Sequence, residues 1–295
     1  MSLAWLPLSP AKEVAVSLLH GWARWGFAAR GIIQIVIGGL GLAAALDARG
    51  ERPADGNGAL ARILTQPWLG SLLVGLIAVG LVGHAVWRLV EAFSDRESPR
   101  GWRALYRVAA VVSALTHGGL ALIAARLLWR GWVESGEELT QETTAELLVL
   151  PYGPWLVAVL GVATLGVGLT VAGRGVCAHL TRDLTTRGAA ETGASSLARY
   201  GHLAQGLVLA IVGGFFLRAA WYGRPSDATS AKGALELLEA QPLGPWLLGV
   251  VAAGLCAFGL YGLVEALFRR LPDPTAAAGE RGQSAACSWT GSWTR

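Results

Sequence analysis

Of 295 residues, 53% are hydrophobic and 15% charged, which leaves too little polar surface for a soluble domain of this size and favours a bilayer as solvent. The net charge of +4 includes no dense basic block and no recognition motif, so nucleic acid is not an expected partner. Cys177, Cys256 and Cys287 are odd in number and lack metal-ligand spacing, so neither a disulfide framework, a metal nor a cofactor is implied.

In chain order, Pro7, Pro10, Lys12 and Glu13 interrupt any signal-peptide pattern, and residues 1–21 read as a cytoplasmic segment before an uncleaved first span. Six uncharged runs follow, at 31–46, 67–87, 108–125, 152–173, 200–217 and 242–264. Each is close to the roughly 20 residues that cross about 30 Å of hydrocarbon. Sixteen of the 24 Lys and Arg residues fall on the side holding both termini, which places the termini in the cytoplasm of an inner-membrane, multi-pass protein. The tail, 271–295, is rich in Ala, Gly and Ser and reads as disordered.

The spans form three two-helix units: repeat 1 over 22–96, repeat 2 over 97–183 and repeat 3 over 197–270. Repeats 1 and 3 share Arg24 with Arg199, Gly26 with Gly201, Gly31 with Gly206, and Gly38-Gly39 with Gly213-Gly214. They also share Gly58-Ala59-Leu60 with Gly233-Ala234-Leu235, Gln66-Pro67 with Gln241-Pro242, and, after a one-residue slip, Gly80-Leu81 with Gly254-Leu255 and Glu91-Ala92 with Glu265-Ala266. Repeat 2 keeps Gly118-Gly119 and Pro151-Tyr152-Gly153-Pro154-Trp155 but has Arg174 where the others have glutamate. Because each unit has an even number of spans, all three enter from one face, and a pseudo-threefold arrangement about the membrane normal is the simplest expectation.

On the openings Ala23-Arg24-Trp25-Gly26 and Ala198-Arg199-Tyr200-Gly201, the Gly-Ala-Leu segments and the Glu-Ala endings, the chain resembles the bacterial membrane proteins grouped as domain-of-unknown-function family 1206, over roughly residues 22 to 270. The resemblance implies an all-α integral membrane fold of six transmembrane helices in a bacterial membrane, and carries no activity.

Between the spans of each unit, 58–66, 140–150 and 233–241 read as short helices along the membrane interface, with Leu60, Ile63 and Leu64 on one face and Leu235 and Leu238 on another. Trp5, Trp22, Trp25, Trp68, Trp87, Trp102, Trp129, Trp132, Trp155, Trp221 and Trp246 fall near span boundaries and read as aromatic anchors. Glycines inside the spans read as helix-packing positions.

Polar groups at bilayer depth are costly and mark candidate sites. Gln34, His84, His117, Thr116 and Gln205, with Thr164, form a candidate intramembrane polar centre. Glu91, Arg174 and Glu265 occupy equivalent places and, with Arg88, form a candidate cytoplasmic charge cluster acting as gate or brace. Arg30, Arg88, Arg126 and Arg218 lie near span ends and read mainly as snorkelling topology determinants. The layout is similar to that of mitochondrial carriers, but their proline-acid-base signature is absent at Leu46-Asp47-Ala48-Arg49. No hydrolase, zinc-protease or phosphate-loop motif is present, so no catalytic residue is expected. The reading is a non-enzymatic membrane protein, channel or transporter-like for a small solute or ion; the alternative is a scaffold or stress-response partner that contacts another membrane protein or its own copies.

Overall fold

The computed structural model describes residues 10–46, 52–66, 69–93, 103–176 and 189–269. Trp5, Trp68, Trp102, Cys177, Cys287 and the tail lie outside the described residues. The described chain is helical, without strands: α1 (Pro10–Ala45), α2 (Gly56–Leu64), α3 (Gly70–Phe93), α4 (Arg103–Arg130), α5 (Gly136–Val149), α6 (Gly153–Val176), α7 (Ala189–Tyr222), α8 (Ala231–Glu239) and α9 (Gly244–Phe268). Six of these, α1, α3, α4, α6, α7 and α9, are long and apolar enough to cross a membrane. Their outward surfaces carry Leu115, Leu122, Val159, Leu169, Val250 and Trp246, all strongly exposed, while His84 and Glu91 are buried. That inversion suits a lipid surround, where exposed apolar side chains cost nothing.

Each long helix packs against the long helix next to it in the chain, and α1 packs against α9, so the series closes on itself. The α4–α6 contact is the thinnest of the six. Glycine sets the closest approaches. A β-carbon at Gly31 of α1 would stand 2.7 Å from the Gly259 carbonyl oxygen of α9, and one at Gly206 of α7 would stand 2.7 Å from that of Gly168 in α6. The α4 helix ends at Gly131 and α7 at Gly223, both at positive φ, a conformation that costs glycine no β-carbon clash.

The short helices start two to four residues earlier than the sequence indicates, because their caps lie upstream. Asp55 accepts from Gly58 N, Ser230 accepts from Lys232 N, and Ser135 with Glu138 forms a capping box. The apolar faces of α2 and α8 pack on protein. Leu60 and Leu235 are fully buried and join one apolar cluster with Ile33, Ile37, Leu81, Leu127, Val212 and Leu248 of the long helices. The three N-termini are tied together: Ser230 Oγ donates to Asp55 Oδ2 at 3.2 Å, Ser230 N donates to Glu137 Oε2 at 2.7 Å, and Asn57 Nδ2 donates to the Glu134 carbonyl at 3.2 Å. Carboxylates suit this place because helix N-termini present unpaired N–H groups and positive dipole ends. This end is the capped end below; the other, where α1 enters and α9 leaves, is the terminal end.

Candidate functional site

Three consecutive residues of the opening motif position the terminal end. Arg24 wraps the C-terminus of α9, donating to the carbonyls of Ala266 and Leu267 at 2.9 Å and Arg269 at 3.0 Å, which satisfies groups a helix end leaves open. Trp25 reaches the other neighbour, its indole N–H donating to the Leu76 carbonyl of α3 at 3.1 Å across Gly80. At Gly26 a β-carbon would stand 2.5 Å from His84 N, so only glycine lets α1 and α3 meet there. Repeat 3 repeats the device: the Tyr200 hydroxyl donates to the Val250 carbonyl, Gly254 lies under the ring, and a β-carbon at Gly201 would collide with Phe258.

Between these anchored helices lies an ion-pair network. Glu91 accepts from Trp87 Nε1 at 2.7 Å, from Arg88 Nη1 at 2.5 Å and from Arg269 Nη2 at 3.2 Å. Glu265 accepts from Arg30 Nη2 at 2.9 Å and from Arg269 Nη1 at 3.1 Å. Arg269 therefore joins the two equivalent acids, and its guanidinium stacks over Phe27 at 4.9 Å. Arg30 stacks over Phe258 at 4.8 Å. Among these five charged groups the formal balance is three cations to two anions.

One to two turns deeper, His84 sits edge-to-face on Phe27 at 5.2 Å and on His117 at 4.5 Å. Its mirror in repeat 3 has the partners exchanged, His202 edge-to-face on Phe258 at 5.0 Å. His117 Nδ1 donates to the Ser113 carbonyl at 2.6 Å, and His202 Nδ1 to the Ala198 carbonyl at 2.7 Å. Deeper still, the Gln34 amide donates to the Gln205 side-chain oxygen, linking α1 to α7. Beyond them the interior is the apolar cluster under α2 and α8.

Gln34 and Gln205 thus meet each other, His84 meets His117, and Glu91, Glu265 and Arg88 share one network. Thr116 is exposed, and its hydroxyl donates to the Val112 carbonyl of its own helix at 2.8 Å. Arg174 lies exposed at the end of α6, within electrostatic reach of Glu91. Two readings need correction. Arg30 is held in the network rather than snorkelling, and Trp87 is buried as a donor to Glu91 rather than an interface anchor. Arg269 and His202 were missed. Their signals were in the sequence: Arg269 follows Glu265 by one turn, and His202 shares a helix face with Gln205. No group of three His, Cys, Asp or Glu side chains among the described residues is arranged for a metal ion.

The family model described as Domain of Unknown Function (DUF1206) matches residues 25–95, 108–178 and 200–269. The chain belongs to this family. It is also similar to the uncharacterized protein YxxB of Bacillus subtilis (strain 168), 27% identical over 273 residues that cover 90% of this chain and 96% of the relative. No solved structure matches significantly. The three matched segments each contain one pair of long helices, α1 with α3, α4 with α6, and α7 with α9.

Proposed function

We propose that the protein is an inner-membrane protein, with cytoplasmic termini, that takes a small solute or ion into the middle of its six helices from the terminal end, in the manner of a transporter rather than an open channel. One observation carries this reading: side chains from α1, α3, α4, α7 and α9 converge as a polar column from Glu91 and Glu265 to Gln34 and Gln205, and that column stops at the apolar cluster beneath the capped end. A polar interior sealed toward the capped end supports one of the two states that alternating access requires, with opening toward the terminal end as the part the proposal adds. The Lys and Arg bias supports the orientation. A pseudo-threefold axis is supported by the matching glycine contacts, Gly31 on Gly259 and Gly206 on Gly168, and by the paired Trp25 and Tyr200 bonds.

The second reading, a packed scaffold for a membrane partner, draws on the same apolar cluster and on the mutual satisfaction of the glutamates. The two diverge on water. With Cys177, Cys256 and Cys287 replaced by serine, cysteines at Gln34, His84 and His117 react with membrane-impermeant thiol reagents if the column is wet. Protection at all three positions removes the solute reading and leaves the scaffold.

A further inference from the structure

The helices of repeat 1 leave a groove of about 280 Å³ on their outward surface, away from the polar column. Trp25, Ala28, Ala29 and Ile32 line it from α1, at i, i+3, i+4 and i+7 on one face of that helix. Leu73, Leu76 and Ile77 of α3 form the opposing stripe, and Ile63 of α2 joins them. The floor is core and the rim is surface: Ala29, Ile63 and Ile77 are buried in the main apolar cluster, whereas Trp25, Ile32, Leu73 and Leu76 are exposed. Gly80 ends the groove toward the terminal end. A β-carbon there would stand 2.6 Å from Ala29 Cβ and 2.6 Å from Trp25 Cδ1, so α1 and α3 touch at that level. The three α3 residues precede Gly80 and lie in the first third of the helix, which sets the groove in the leaflet at the capped end.

Shape and chemistry together select the occupant. With one stripe along each long helix, the groove runs with the helix axes, the direction of acyl chains in a bilayer. From Trp25 to Ile32 it follows α1 for roughly 10 Å, at about 1.5 Å per residue, within the roughly 15 Å of hydrocarbon in one leaflet. Among the described residues that line it, the only polar side-chain group is the Trp25 indole N–H, which already donates to the Leu76 carbonyl at 3.1 Å. A polar solute would give up hydrogen bonds to water and find none here. Pockets for small molecules usually run from about 300 to 1,000 Å³, so this groove has the calibre of a chain rather than of a ring system. An empty gap forfeits dispersion contacts, and acyl chains are what stands beside a bundle in lipid. We propose that the groove between α1, α2 and α3 is a lipid site that seats one acyl chain of a phospholipid from the leaflet at the capped end. The chain lies along α1 with its tail toward Trp25, and it packs on Ile63, bracing the short helix α2 against α1 and α3. The site requires only that the six helices stand in lipid, so it holds under either reading of the column.

The test uses full-length protein in nanodiscs that include a phosphatidylglycerol with a diazirine on one acyl chain, irradiated and mapped by peptide mass spectrometry. Leu73 and Leu76, 38% and 37% exposed, should collect severalfold more label than Leu115 and Leu122 of α4, which are 70% and 65% exposed. Exposure alone predicts the reverse order. Moving the diazirine from the chain end toward the carbonyl should shift label from Trp25 toward Leu73. Ala28→Leu fills the groove with the residue type that repeat 3 carries at the matching Leu203, and Ile32→Trp covers its rim. Each should abolish the excess at Leu73 and Leu76 while labelling of Leu115 and Leu122 stays unchanged, which also reports an intact fold. Label that follows exposure overturns the site, as does an excess that survives both substitutions. Displacement of the probe by an isoprenoid quinone but not by unlabelled phosphatidylglycerol overturns the phospholipid. Absence of label in the groove, with Ile32→Cys forming disulfides between copies, overturns it in favour of a second copy of the chain.

Discussion

Repeats 1 and 3 keep one construction and repeat 2 has lost it, and the loss shows what the construction does. In repeats 1 and 3 an arginine-aromatic-glycine opening locks the first helix to the second, a phenylalanine and a histidine meet edge-to-face, and a glutamate ends the unit inside the ion-pair network. In repeat 2 the arginine-aromatic-glycine opening is absent and Arg174 stands in place of the glutamate, and its two long helices, α4 and α6, make the thinnest contact of the six. The α6 helix instead lies along α7, with Gly161, Gly168 and Gly175 against it. Two units therefore build the charged interior. The third closes the circle and contributes His117 to the column.

The sharpest break between the units is at their ends. Glu91→Ala strands Arg88 and Trp87 and takes one of the acids from Arg269, and removing one partner of a buried ion pair should cost about 3–5 kcal/mol. Arg174→Ala, at the equivalent but exposed position, should cost about 1 kcal/mol or less, as exposed ion pairs do. Thermal unfolding in matched lipid measures both, and equal losses would erase the distinction.

Glycine pairs give a second contrast. A β-carbon at Gly38 would stand 2.6 Å from Cys256 N and one at Gly213 2.5 Å from Leu165 N, whereas one at Gly118 would stand 3.9 Å from the nearest side-chain atom, on Ala85. Gly38→Ala and Gly213→Ala should each cost about 1–3 kcal/mol as overpacked contacts. Gly118→Ala should be neutral or slightly stabilising, alanine being the better helix former by about 1 kcal/mol. The order of the three melting temperatures tests this without any absolute scale.

Smaller effects refine the comparison. Trp25→Phe removes the bond to the Leu76 carbonyl but keeps much of the ring, and should cost about 1 kcal/mol. Exchanging partners in repeat 1, Phe27→His with His84→Phe, rebuilds the arrangement seen in repeat 3. The double variant should recover about 0.5 kcal/mol or more relative to the sum of its single changes. A sum that is simply additive would mean that the edge-to-face pair is incidental.

The repeats, the six spans and the equivalence of Glu91 with Glu265 are legible from residue order, because hydropathy and spacing are local properties of the chain. The partners are not. Helical periodicity gives the face on which Arg30 or Trp87 lies, but not that Glu265 and Glu91 stand opposite, since that depends on which helices become neighbours. Arg30 was misread because a hydropathy scale treats any charge near a span end as able to reach water. What covers the apolar faces of α2 and α8 was not legible for a related reason: Leu60 and Leu235 mark an apolar face equally well for lipid or for a protein core. The caps Asp55, Ser135 and Ser230 lie upstream of the starts read from the apolar pattern, and the joining of these helix ends depends on which helices become neighbours.

The proposed solute path requires an interior that is wet from one end and dry at the other. Gln205→Cys, in the column, and Val212→Cys, in the apolar cluster, can be compared in sealed vesicles of both orientations, using a membrane-impermeant thiol reagent after replacement of the native cysteines. Gln205→Cys should react only when the reagent is on the cytoplasmic face, and Val212→Cys should stay unreactive from either face. Reaction of Val212→Cys from either side, or protection of Gln205→Cys from both, would contradict it.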